Sequence, residues 1–125
     1  DARTLVIKPY DASTLKAMEK AILASDVGIT PTNDGQVIRL VFPQLTEERR
    51  KDLCKQVQKM GEDAKVAVRN IRRDANDACK KLEKDGEMTE DEKKASEKSV
   101  QDMTDKYIKK IDTAIADKQK DVMAI

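Results

Sequence analysis

Three arginines within five residues are the side chains of this sequence best suited to binding chemistry. Arg69, Arg72 and Arg73 lie in a long stretch without proline, and residues three or four positions apart share one face of a helix. A guanidinium group presents several donors in a rigid fork that matches phosphate groups and base edges. The pattern predicts a nucleic-acid-binding helix surface, and the alternative is a solvated charged face. The predicted basic face comprises Lys65, Arg69, Arg72, Arg73, Asn76 and Lys80.

The composition argues against enzymatic and metal chemistry. The chain contains no His, which is the commonest general base and metal ligand, and it has no phosphate-binding glycine loop. Asp74 and Asp77 beside Arg73 are typical of ion pairing on a helix surface. We therefore expect no enzymatic activity, no cofactor and no metal site.

The two cysteines and the hydropathy pattern predict a cytoplasmic protein. Cys54 and Cys79 lie on one predicted helix about 37 Å apart, which is too far for a disulfide, and unpaired thiols are typical of a reducing compartment. No signal peptide or membrane span is visible in the sequence. We therefore expect a cytoplasmic location and no membrane partner.

Charge and composition predict long, slender helices. Charged residues make up 39% of the 125 residues and aromatic residues only 2%, which excludes a large aromatic core. Residues 1–45 have no net charge, residues 46–84 carry +4 and residues 85–125 carry −3. This distribution fits two antiparallel helices that attract each other and leave a basic surface on the first.

Residues 1–45 predict a small β/α/β domain. Residues 3–8 and 37–42 are typical of strands, and residues 30–35 of a turn. Between them, Asp11 or Ser13 caps a predicted helix that runs to about Ser25. Two strands and one helix are marginal alone, so we expect the sheet to contain further strands. Pro43 redirects the chain, and the segment from Pro43 to Leu45 is either a hinge or an ordinary short loop.

Residues 46–125 predict a long antiparallel helical hairpin. Thr46 and Thr89 are helix-capping residues, and Thr89 with Glu92 forms a capping box. Gly61 either permits a close helix crossing or is simply tolerated, at a cost of about 1 kcal/mol. Apolar stripes this broad usually pack against a third helix, so either an N-terminal helix is absent from this chain or another molecule supplies the partner. The predicted inward row on the first helix comprises Leu53, Val57, Met60, Ala64, Ala67, Ile71, Ala75, Ala78 and Leu82. The predicted inward row on the second helix comprises Val100, Met103, Tyr107, Ile108, Ile111, Ala114, Ile115 and Val122, with Tyr107 at its edge.

Two strings of the long helix closely resemble the bacterial ribosome recycling factor family. They are Leu-Thr-Glu-Glu-Arg-Arg-Lys-Asp-Leu at residues 45–53 and Val-Ala-Val-Arg-Asn-Ile-Arg-Arg-Asp-Ala-Asn-Asp at residues 66–77. Residues 18–26 and 108–111 are similar to the family too. The resemblance implies an α+β protein in which a three-helix bundle and a small β/α/β domain are joined by a hinge. This chain resembles the last two-thirds of the family, with only the second and third bundle helices.

The resemblance also implies a function in translation. Family members bind the large ribosomal subunit and, with elongation factor G, dissociate post-termination ribosomes to release mRNA and tRNA. The family's rRNA-binding cluster maps onto Arg69, Arg72 and Arg73, with Asn70 adjacent, and Lys65 completes the candidate rRNA-binding site. The implied hinge comprises Phe42, Pro43, Gln44 and Leu45.

The alternative function is that of a structural coiled-coil hairpin. Such a protein would bind a protein partner through its apolar seam, and disruptive changes at Ile71 or Ile111 would then matter while arginine changes would not. With the first bundle helix absent, we also expect this chain to self-associate through the exposed seam.

Overall fold

A computed structural model describes residues 1–124 of the chain. The chain divides into two compact units, Asp1–Leu45 and a second unit that begins at Thr46. The first unit contains three strands, a short 3-10 helix (Ala12–Thr14) and one α-helix, and the second contains two long α-helices. The predicted α+β class is confirmed. Residue 125, the last of the predicted helical domain, lies outside the described residues.

The first unit is a three-stranded antiparallel sheet with one helix. Its strands and its α-helix, in chain order, are β1 (Thr4–Ile7), α1 (Leu15–Ala24), β2 (Thr32–Asn33) and β3 (Ile38–Val41). The central strand is β3, which pairs with β1 on one side and β2 on the other. Because side chains alternate along a strand, β3 buries Ile38 and Leu40 and exposes Arg39 and Val41. Leu15 is the buried apolar residue of α1.

The segment predicted as a turn contains a strand that the sequence analysis missed. Thr32 and Asn33 pair with Arg39 and Ile38 of β3, so the sheet has the additional strand that a stable unit was expected to need. Asp34 stabilises the turn between β2 and β3, because its carboxylate accepts hydrogen bonds from the backbone N–H groups of Gln36 and Val37 at 2.9 Å each. A two-residue strand is too short to show alternation, and only its pairing partner reveals it.

The second unit is a hairpin of two helices, each of which begins directly after its predicted capping residue. They are α2 (Glu47–Lys84) and α3 (Glu90–Met123). The hydroxyl of Thr46 accepts the Arg49 N–H at 3.1 Å, and the hydroxyl of Thr89 accepts the Glu92 N–H at 3.1 Å. Gly86 takes a φ of 77° in the connection, where a residue with a side chain would be strained. The helices are roughly 57 Å and 51 Å long at 1.5 Å per residue.

The seam between α2 and α3 is narrower than the predicted apolar row. Gly61 and Cys79 of α2 and Thr104 and Ile115 of α3 are buried. A methyl group added to Gly61 would overlap the side chain of Ile115, so the two backbones approach closely at this point. Gly61 therefore permits a close helix crossing, which was one of the two interpretations left open by the sequence.

Several residues predicted to face inward are exposed. Met60 and Ile71 of α2 are 70% and 68% exposed, and Met103 and Tyr107 of α3 are each 52% exposed. The inward assignment of Met60, Ile71 and Met103 was wrong for this hairpin, because one partner helix covers only part of a broad apolar stripe. We call the exposed side of the hairpin the apolar face; its members are Met60, Ala64, Ala67, Ile71, Met103 and Tyr107. A third helix over this face remains a prediction.

Candidate nucleic-acid interface

Arg69 and Arg73 project from the exposed surface of α2. They lie four residues apart, so their side chains share one helix face. The Arg73 guanidinium has only a loose contact, with Nε 3.9 Å from the Asp74 carboxylate, and within residues 1–124 no ion pair engages Arg69. Asn70 is exposed beside them. This surface therefore offers two guanidinium groups and an amide to an external partner.

Arg72 differs from its two neighbours because it reaches towards α3. It is half-buried, and its Nη1 donates a hydrogen bond to Oε1 of Gln101 at 3.2 Å. The same residue lines an apolar groove of about 400 Å³ between the helices. The other residues lining this groove are Val68, Ile71, Ala75, Val100, Met103, Thr104 and Tyr107. Arg72 is thus held at the boundary between the basic surface and the apolar face.

Lys65 is held by two carboxylates. Its Nζ lies 2.8 Å from Oδ1 of Asp112 on α3 and 3.0 Å from Oε1 of Glu62, and its side chain is only 12% exposed. The hydrogen bonds to Asp112 and Glu62 raise the pKa of Lys65 above its usual value. The structure therefore places this predicted site residue in an ion-pair network that links the two helices.

The two remaining residues of the predicted basic face lie further along α2. Lys80 is exposed, as predicted, whereas Asn76 is half-buried. The Oδ1 atom of Asn76 is buried and has no hydrogen-bond partner within residues 1–124. The basic face predicted from periodicity thus divides into an exposed part and a part turned towards α3.

The candidate hinge residues lie between the last strand and α2. Phe42 extends the pairing of β1 and β3, because its backbone N–H donates to the carbonyl of Arg3 at 2.8 Å. Pro43 and Gln44 are exposed and Leu45 is half-buried. The four residues lie outside any helix or strand and end where the first compact unit ends. Movement about these residues remains a prediction.

Gln101 is the contact residue that sequence reasoning missed. It lies 29 positions beyond Arg72 in the sequence, so no helical periodicity connects the two residues. Only the register of the α2–α3 hairpin brings them together. The sole local signal is that Gln101 and Asp105 lie four residues apart, which allows a helix-surface hydrogen bond, observed at 2.9 Å.

Among residues 1–124, neither long helix contains a segment apolar enough to span a lipid bilayer. The described side chains of His, Cys, Asp and Glu include no group of three or more that could hold a metal ion.

Comparison with known proteins gives one consistent family. A family model described as ribosome recycling factor matches residues 1–123. The ribosome-recycling factor of Geobacillus kaustophilus (strain HTA426) is 64% identical over 125 residues, which are 100% of this chain and 68% of that protein. The ribosome-recycling factor of Bacillus subtilis (strain 168) is 58% identical over the same shares of each chain.

Two solved structures are similar over 98% of this chain. A solution structure of the ribosome recycling factor matches with a TM-score of 0.61 and 39% identity, and the match covers 65% of that chain. The second structure is described as models for the T. thermophilus ribosome recycling factor and the E. coli elongation factor G bound to the E. coli post-termination complex. It matches with a TM-score of 0.52 and 46% identity, over 66% of that chain. The chain thus spans about two-thirds of the length of its relatives.

Proposed function

Since this chain belongs to the ribosome recycling factor family, we propose that it binds the large ribosomal subunit through rRNA. On this proposal it acts with elongation factor G in the cytoplasm to dissociate post-termination ribosomes and release mRNA and tRNA. The observation that carries the proposal is the exposed pair Arg69 and Arg73 on a long helix of a recycling-factor chain. The relative that is bound with elongation factor G to a post-termination complex supports the same conclusion.

The physical basis of the proposed binding is a rigid array of cations. A guanidinium group donates in a fixed fork, which suits bidentate contact with phosphate oxygens or with a guanine edge. An unbroken helix holds Arg69, Arg72 and Arg73 at fixed separations, so less freedom is lost when all of them meet a folded RNA surface at once. Asn70 adds an amide that both donates and accepts. The basic surface of α2 is therefore the part of the chain that we assign to the large subunit.

Lys65 has a different role in this proposal from the one predicted. Because its ammonium group already has two carboxylate partners, contact with a phosphate would require breaking at least one ion pair. We propose that Lys65 chiefly links α2 to α3 and that the arginines and Asn70 supply the contacts to rRNA.

The factor itself is proposed to perform no bond chemistry. Elongation factor G would supply the energy through GTP hydrolysis. This chain would bind the large subunit, take a defined position on it and transmit force. We propose that residues 42–45 act as the hinge through which the first unit moves against elongation factor G. Their position outside any helix or strand supports this assignment.

Removal of single arginines tests the proposed binding surface. We expect Arg69→Ala, Arg72→Ala and Arg73→Ala each to weaken binding to purified large ribosomal subunits by about 1–3 kcal/mol. Each lost phosphate contact should also flatten the dependence of log affinity on log salt by about 0.7–0.9. Both quantities are measured by pelleting the subunit with labelled protein over a series of salt concentrations.

The matched control is Lys94→Ala. Lys94 is an exposed cation on α3 whose Nζ lies 3.4 Å from Glu90 of the same helix, and its removal changes the net charge equally. Its affinity should stay within about twofold of the parent, as expected for a surface site remote from the interface. Parental affinity in all three arginine variants, with the fold intact by circular dichroism, would refute the proposal.

The exposed apolar face favours a second candidate function, a hairpin that binds a protein partner. The two functions are distinguished by a variant at Ile71, which is 68% exposed and lies between Asn70 and Arg72. A protein-binding hairpin predicts that Ile71→Ser abolishes partner binding while the three arginine variants behave as the parent. The ribosomal function predicts that the arginine variants lose affinity for the subunit.

A further inference from the structure

Helix α3 contributes a side chain to the basic surface through Gln101. The Gln101 Oε1 atom accepts the hydrogen bond from Arg72 Nη1 at 3.2 Å, and the Gln101 Nε2 group donates to Oδ1 of Asp105 at 2.9 Å. One bond uses the oxygen of the amide and the other uses its nitrogen. The bond to Asp105 therefore fixes the orientation in which the oxygen faces Arg72. Arg72 is the one cluster arginine for which a side-chain hydrogen bond to α3 is observed among residues 1–124.

The neutral amide suits an arginine that must keep its charge for another partner. A carboxylate at the same place would form an ion pair with the guanidinium and would compete directly with phosphate. The amide oxygen occupies one donor and leaves the net positive charge and the other N–H donors of the guanidinium unpaired. Asp105 bonds to the Nε2 group of the amide, and no ion pair joins it to Arg72 among residues 1–124. The arrangement therefore restricts the orientation of Arg72 without neutralising it.

We propose that Gln101 is a positioning residue that orients Arg72 for contact with rRNA. The inference rests on the proposed function, since it names a second helix that takes part in the same site. A long arginine side chain loses rotamer freedom when it is held in one geometry on binding. Gln101 restricts this freedom before the subunit arrives, so less entropy is lost in the complex. The contribution of α3 to binding thus depends on the presence of Arg72.

A double-mutant cycle tests this dependence. Gln101→Met keeps the length of the side chain and removes its acceptor. It should weaken binding to purified large ribosomal subunits about fivefold in the parent and less than about twofold in the Arg72→Ala background. Binding is measured by pelleting, and the melting temperature of every variant is recorded beside it.

The control is Gln58→Met, which removes another glutamine contact between the helices. Oε1 of Gln58 accepts from Nε2 of Gln119 at 3.1 Å, at a site remote from Arg72. If Gln101 acted only by holding the helices together, both variants would change the melting temperature and affinity in parallel. We expect affinity to fall for Gln101→Met and to stay at the parental value for Gln58→Met.

Three results would overturn the positioning role. They are an unchanged affinity in Gln101→Met, an equal loss in both arginine backgrounds, and an equal loss in the Gln58→Met control. Failure of the proposed function looks different, because the single arginine variants would then bind as tightly as the parent. If those variants lose affinity and Gln101→Met does not, the rRNA site stands and only the positioning role is refuted.

Discussion

Gly61 shows how one residue fixes the contact between the two long helices. It is buried in the middle of α2, where glycine costs about 1 kcal/mol of helix stability relative to alanine. The side chain of Ile115 occupies the space that a Cβ atom would take. The close approach of α3 thus explains why a residue with poor helix propensity is found inside a 38-residue helix.

Gly61→Ala tests this explanation at the residue scale. Overpacking against Ile115 should lower the free energy of unfolding by about 1–3 kcal/mol, although alanine is the better helix former. The measurement is urea unfolding followed by circular dichroism. The double variant Gly61→Ala/Ile115→Ala should lose less free energy of unfolding than the two single variants lose in sum, because Ile115→Ala removes the obstructing side chain. A stabilised Gly61→Ala protein would show that helix propensity dominates at this site.

At the scale of elements, local polar contacts decide where strands and helices begin and end. Thr46 and Thr89 accept N–H groups in the first turns of α2 and α3. Asp34 has the same role between β2 and β3, where its carboxylate accepts two backbone N–H groups and pairs with Arg39. The N–H groups of Val37 and Gln36, followed by Arg39, lower the pKa of Asp34 from 3.8 to about 2.

The Asp34 turn predicts a specific dependence of stability on pH. A carboxyl group whose pKa is lowered by folding stabilises the folded state at any pH above its pKa in the unfolded chain. This contribution is lost as the pH falls through its pKa in the folded protein. The parent should therefore lose more stability than Asp34→Asn between pH 4 and pH 2. Urea midpoints of both proteins at several pH values in this range give the measurement. Parallel curves would contradict the assigned role of the turn.

At the scale of the whole molecule, the second unit exposes several large apolar side chains on one side. Met60, Ile71, Met103 and Tyr107 are all more than half exposed on the apolar face. Contiguous apolar surface of this kind usually marks a site of association. The chain spans about two-thirds of the length of its relatives, and we expect the 125 residues alone to associate through this face.

Light scattering of the 125-residue chain tests the expected association. The molecular mass should exceed 14.1 kDa and fall towards that value on dilution, because association follows mass action. Ile71→Ser combined with Met103→Ser should shift the protein to the monomer, whereas Arg69→Ala, a change on the basic surface, should not. A well-folded monomer at every concentration would contradict the expectation.

The sequence alone determined the features that depend on neighbouring residues. Capping by Thr46 and Thr89, the alternation of Ile38 and Leu40, and the run of arginines on α2 are local patterns, and a few consecutive side chains suffice to produce them. Family membership also followed from consecutive residues, 45–53 and 66–77, and the comparisons confirmed it.

Only the tertiary structure decided the contacts between residues distant in the chain. Apolar periodicity on α2 is compatible with more than one inward face, and the register of α2 against α3 selected Gly61 and Cys79 over Met60 and Ile71. The same register placed Lys65 beside Asp112. Pairing with β3 likewise made a strand of Thr32 and Asn33. Such contacts depend on how two elements meet in space, which the spacing of residues within a single element does not determine.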